Sequence, residues 1–82
     1  MKYILEIYYQ GECIEHREQE DPLPNPIPGD QIYIEFGNPS YSEEHGNWWT
    51  VRNRSHLLFN QALYTLQLYC EPNRSRDRDY KV

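Results

Sequence analysis

His56 to Cys70 reads HLLFNQALYTLQLYC, and whether this stretch is strand or helix decides the fold class. As strands, Leu63 to Cys70 alternates and puts Tyr64, Leu66, Leu68 and Cys70 on one face, while Asn60-Gln61-Ala62 turns the chain back from His56-Leu57-Leu58-Phe59. As a helix, Leu57, Leu58, Gln61, Leu63, Tyr64 and Leu68 fall on a loose stripe of period 3.6. Neither a cap nor a C-terminal Gly bounds that stripe, and Thr, Tyr, Phe and Asn recur within it. The strand reading is the better supported; the helix is its rival.

Outward from this segment the strand pattern recurs. Trp48 to Asn53 carries Trp49 and Val51 on one face and Thr50 and Arg52 on the other, with an indistinct boundary near Ser55. Gln31 to Phe36 alternates Ile32, Ile34 and Phe36 with Gln31, Tyr33 and Glu35. Lys2 to Tyr9 sets Tyr3, Leu5, Ile7 and Tyr9 against Lys2, Ile4, Glu6 and Tyr8, and Gln10-Gly11 then turns the chain into a second, more exposed strand over Glu12–Glu18.

Three segments lack strand character. Asp21 to Pro28, DPLPNPIP, holds four prolines in eight residues, which makes it a stiff, extended loop that blunts a sheet edge. Gly37 to Asn47 is polar throughout and reads as a long exposed loop. Glu71 to Val82 has almost no apolar side chain to offset its ordering entropy, so the domain is placed at 1–71 and a disordered charged tail at 72–82.

Composition bounds the rest. With 82 residues, the chain is one small domain, and twelve aromatics, eight of them Tyr, supply much of its buried apolar area. No apolar run approaches the roughly 20 residues of a membrane helix, and MKYILEIYYQ lacks the unbroken apolar core of a signal peptide. Two cysteines, Cys13 and Cys70, are too few for a disulfide scaffold. The expectation is a cytoplasmic protein that contacts no membrane, with a Cys13–Cys70 bond left open.

Five to six short strands without a convincing helix lead to an all-β, small antiparallel barrel, since a flat sheet of this size leaves one apolar face in water. Pro26-Ile27-Pro28-Gly29-Asp30-Gln31-Ile32-Tyr33-Ile34 resembles the P-x-P-G-D-x-I/V-x-I opening strand of small SH3-like barrels, in which Gly turns the chain and Asp ties the turn to neighbouring amides. Trp49-Thr50-Val51-Arg52-Asn53-Arg54-Ser55-His56 is similar to the W-x-V-x-x-R-x-H strand of short bacterial proteins of that architecture. The resemblance implies an SH3-like barrel with an aromatic groove of the kind that binds extended or proline-rich peptides. The KOW branch of such barrels carries a G-x-x-G loop, whereas here Gly37 and Gly46 sit among acidic residues.

Little of the sequence suggests catalysis. Ser55 beside His56 and Cys13 near His16 lack a nucleophile elbow or a glycine-rich oxyanion loop, and Glu43-Glu44 lies in a polar stretch that suits a solvated pair. Cys13, His16, His45, His56 and Cys70 are the only soft or imidazole ligands, and on a regular strand the offset of three sends Cys13 and His16 to opposite faces unless a bulge intervenes. The expectation is no enzyme, no metal and no cofactor.

Charge is divided unevenly. Residues 1–47 hold ten acids and two bases, and residues 48–82 hold three acids and six bases, so −8 and +3 make the formal charge of −5. Trp48 and Trp49 face opposite sides of one strand, so one enters the core and the other, with Tyr41, forms an aromatic surface unless the Pro-rich loop covers it. The leading reading is therefore a protein-interaction module, binding a partner or a second copy through Trp48, Trp49 and Tyr41. The alternative is a nucleic-acid-associated barrel using Arg52 and Arg54 with the two Trp, and with the tail residues Arg74, Arg76 and Arg78. The overall acidic field opposes it.

Overall fold

A computed structural model describes residues 2–60 and 62–75 of the chain. They form strands β1 (Lys2–Tyr9), β2 (Glu12–Gln19) and β3 (Gln31–Tyr33), helix α1 (Pro39–His45), and strands β4 (Trp48–Asn60) and β5 (Leu63–Pro72). The expected all-β class is what the chain adopts, and the decisive segment is strand: β4 and β5 pair antiparallel from Trp49↔Pro72 to Asn60↔Leu63. The single sheet has the order β2-β1-β5-β4-β3. Its centre departs from an antiparallel barrel, because β1 lies parallel to β5, from Lys2↔Leu63 to Tyr8↔Tyr69. Both strands are apolar on the same alternate residues, so parallel pairing aligns Leu5 with Leu66 and Ile7 with Leu68 on one face.

The sheet curls into a half-barrel. Its edges β2 and β3 are four strand spacings apart, which on a flat sheet would separate them by about 19 Å. Side chains nevertheless reach across: the Arg17 guanidinium on β2 donates to the carbonyl of Glu35, just after β3. Arg17 Nε also holds Glu15 Oε2 at 2.7 Å, and Glu15 Oε1 accepts from the Gly37 amide at 3.4 Å. The concave side carries the core, which includes Ile7, Ile34, Trp49, Val51, Leu66 and Leu68.

Two bulges set which face each residue takes. In β2, Ile7 opposes Glu15 and Tyr8 opposes Cys13, so Ile14 is the extra residue and is buried. In β4 the register slips between Val51 and Asn53, and a further irregularity lies between Leu58 and Asn60. Trp48–Asn53 and His56–Phe59 are consequently one continuous strand, not two with a break near Ser55.

The polar stretch after Gly37 is not all loop. Asn38 Oδ1 accepts from the Ser40 amide at 3.1 Å and Pro39 occupies the first turn, which starts a seven-residue helix that ends at Gly46. An Asn cap followed by Pro is a helix start, and it outweighs the polar composition of the segment. The Gly29-Asp30 turn follows the expected chemistry, with Gly29 at φ 99° and Asp30 Oδ2 accepting from the Ile27 amide at 2.9 Å. At the C-terminal end, Pro72 still opposes Trp49 and the Asn73 amide donates to Trp48 O at 2.7 Å. The remainder of the expected tail, residues 76–82, lies outside the described residues, and Arg76 and Arg78 with it.

Candidate interaction surface

The five residues singled out from sequence do not form one patch. Trp49 is wholly buried, with its ring 5.4 Å from Tyr9, 5.7 Å from Phe36 and 5.8 Å from His45, and its Nε1 donates to Gly46 O at 3.1 Å. It is a core residue and offers nothing to a partner. Tyr41 packs from α1 against Phe36 at 5.6 Å and is half-buried against the same core. Trp48 takes the other face of β4, half-buried, edge-on to Tyr33 at 5.4 Å. Tyr41 and Trp48 therefore lie on opposite sides of the sheet, and Trp48 packs against Tyr33 of β3.

The bulge in β4 separates the two arginines. Simple alternation would set Arg52 and Arg54 side by side; the slip places Arg54 opposite Leu68, on the concave face. From there Arg54 Nη1 donates to Asn25 Oδ1 at 2.7 Å and Pro26 O at 3.1 Å, pinning the Pro-rich loop to the sheet. Arg52 stays on the convex side, paired with Glu71 Oε2 at 2.9 Å. Arg54→Ala is expected to release residues 22–28, raising proteolytic cleavage there and lowering stability by about 1 kcal/mol; limited proteolysis of the two proteins checks it.

Beneath that loop the half-barrel leaves a cavity of about 570 Å³, walled by Leu5, Ile7, Ile32, Ile34, Leu68 and Pro26. Its charged groups are already engaged, Arg17 with Glu15 and Glu35, and Asp30 with the Ile27 amide.

The convex face carries a polar ladder. Glu6 Oε1 accepts from Gln67 Nε2 at 3.0 Å and Tyr8 Oη at 3.1 Å, and the Gln67 amide foremost holds the Glu6 carboxyl below its usual range. Tyr8 stacks on Tyr69 at 5.4 Å, and the Tyr69 hydroxyl donates to Gln67 Oε1 at 3.1 Å. His16 lies 3.4 Å from Glu6 Oε2 and 3.7 Å from Glu18 Oε2. The bulge at Ile14 brings Cys13 opposite Tyr8 and His16 opposite Glu6, so this pair shares a face after all. Among the described residues no group of three His, Cys, Asp or Glu is placed to hold a metal ion.

Cys70, opposite Val51, belongs to the concave core, and Cys13 to the convex face, so the bond left open from sequence is not formed. Burial pushes the Cys70 thiol up to about 12, and partial burial followed by the Glu6 charge raises Cys13. Iodoacetamide is expected to add once to the native protein, slowly and at Cys13, and a second time only after denaturation, as mass spectrometry would register.

No protein-family model, curated protein or solved structure matches this chain. Among the described residues no helix is long and apolar enough to cross a membrane.

The most exposed apolar side chains lie elsewhere, on the distal half of β4: Leu58 is 77% exposed and Phe59 61%. β3 pairs with β4 only over Trp48–Thr50, and the Gly29 and Asp30 backbone extends that cover to Val51. Beyond the Arg54 anchor, no strand among the described residues flanks 55–60 on the side away from β5. Here β4 is an edge strand, and its alternate amides and carbonyls face outward. Other edges are blunted: β2 carries Glu12, Glu15, Arg17 and Glu18, and β3 is three residues long behind a Pro-rich loop. By contrast, the sixteen residues Ser55 to Cys70 contain no Asp, Glu, Lys or Arg. Sequence reasoning missed this surface, although the uncharged run was a visible signal in a chain that is 26% charged.

Proposed function

We propose that the protein is a small, non-enzymatic protein-interaction module of the reducing cytoplasm, and that it engages a protein strand along the distal edge of β4. The single observation that carries this reading is the unguarded edge over residues 55–60, with Leu58 and Phe59 in solvent. Natural sheets cover, shorten or charge such edges because an open row of backbone donors and acceptors recruits another strand. An added strand gains main-chain hydrogen bonds from the edge and apolar contact from Leu58 and Phe59. Two unbridged cysteines suit a reducing compartment. The aromatic surface contemplated from sequence contracts to Trp48 with Tyr33, since Trp49 is interior and Tyr41 packs on Phe36.

The test compares immobilised wild-type protein with Leu58→Lys/Phe59→Lys, two changes at exposed positions that leave the core intact. Proteins retained from cell extract by the wild type are expected to be lost by the variant and to resist moderate salt. Retention that is indifferent to the variant overturns the reading. Nucleic-acid binding ranks second because Arg52 and Arg54 occupy opposite faces and both are engaged. Affinity for single-stranded RNA or DNA that falls steeply with salt and disappears in Arg52→Ala would promote it.

A further inference from the structure

We infer that the strand taken up by the β4 edge belongs to a second copy of this chain, giving a twofold dimer in which two half-barrels share one continuous ten-stranded sheet. The inference rests on the interaction reading above and names its partner. A strand edge is its own complement when turned antiparallel, since each outward amide finds a carbonyl in the copy, so a twofold axis closes the assembly at two chains.

The chemistry of the edge favours self-recognition. The edge residues 55–60 are Ser, His, Leu, Leu, Phe and Asn, none of them formally charged, so the edge offers no charge pattern with which to select a different chain. Its own copy needs no such selection. Leu58 and the neighbouring Leu57 and Phe59 approach their counterparts across the axis, covering apolar surface that the single chain leaves in water.

The uneven charge of the chain is also accommodated. At −5 per copy, two chains repel through most of their surface. The acid-rich strand β2 lies three strand spacings from the β4 edge in the order β2-β1-β5-β4. The edge itself carries no formal charge over residues 55–60, so pairing there sets no like-charged side chains directly against one another. Pairing through β2 would instead bring Glu12, Glu15 and Glu18 of both copies together.

Sedimentation equilibrium and amide exchange by NMR test the inference on the intact chain. The wild type is expected to shift with concentration from the 10.0 kDa chain to twice that mass. Alternate amides within 54–58 should gain protection in parallel with the shift, the signature of main-chain pairing. Leu58→Lys is expected to weaken association by at least about a hundredfold, and Cys13→Ser to leave it unchanged, which excludes a disulfide as the cause. A chain that stays monomeric at all concentrations overturns the dimer. If such a monomer still retains proteins from extract in a Leu58-dependent way, the interaction module survives without it. A dimer that tolerates Leu58→Lys, or shows no alternating protection in 54–58, also overturns the inference, because its interface is then elsewhere.

Discussion

Trp49→Ala is expected to remove a large part of the stability of the chain. Trp49 is fully buried where β4 passes beneath α1, and its ring meets Tyr9, Phe36 and His45. Truncating a buried Trp to Ala costs about 3–5 kcal/mol, because the cavity it leaves cannot collapse fully. At roughly 0.05–0.15 kcal/mol per residue, a domain of 82 residues has a total stability of about 4–12 kcal/mol. The loss is thus about a quarter of the total at the upper end of that range and all of it at the lower end. It also removes the Nε1 bond to Gly46 O that ties the end of α1 to β4. Urea titration followed by far-ultraviolet circular dichroism measures it; a midpoint within a few tenths molar of wild type would show that the ring is not the keystone of the concave core. Trp49→Phe should fall between, since it keeps the aromatic contacts and loses the hydrogen bond.

Leu66→Ala and Leu58→Ala form the second test, because the two leucines look alike in sequence and differ almost completely in the fold. Leu66 is 1% exposed and sits between Leu5 on β1 and His56 on β4. Its truncation is expected to lower stability by about 2–5 kcal/mol. Leu58 is 77% exposed, and its truncation should change the stability of the dilute protein by no more than about 0.5 kcal/mol. Chemical denaturation of both variants at low concentration reads the difference directly. Equal losses would mean that the distal half of β4 is covered within the single chain, which would remove the basis for an interaction surface there.

The same pair shows how far local pattern extends. Alternation in Lys2–Tyr9 and Leu63–Cys70 identified the two central strands and their buried faces, because a side chain repeat of two is a property of the backbone alone. Gly29-Asp30 marked its turn for an equally local reason: glycine accepts φ 99° and the Asp carboxylate reaches an amide three residues back. Asn38-Pro39 was also legible as a helix start, and the polar composition around it masked the signal.

The candidate site was less legible because it depends on insertions of one residue. The slip between Val51 and Asn53 turns Arg54 to the concave face and leaves Arg52 on the convex one, so the basic strip suggested by R-x-R dissolves. The extra residue Ile14 does the reverse, bringing Cys13 and His16 onto one face. No propensity distinguishes a strand with a bulge from one without it; the partner strand decides, through the register that buries the most apolar surface.

By itself, then, the sequence determined an all-β class, the apolar faces of the long strands, the stiff loop from Asp21 to Pro28 and the division of charge between the two halves. These follow from side-chain periodicity, proline geometry and composition, each acting over a few residues. Only the tertiary structure decided that β1 runs parallel to β5, that Trp49 rather than Trp48 is interior, and that residues 55–60 of β4 pair with no strand among the described residues on their outer side. Pairing between residues some sixty positions apart is set by which faces can be buried together, and an edge exists only once every other strand has taken its place.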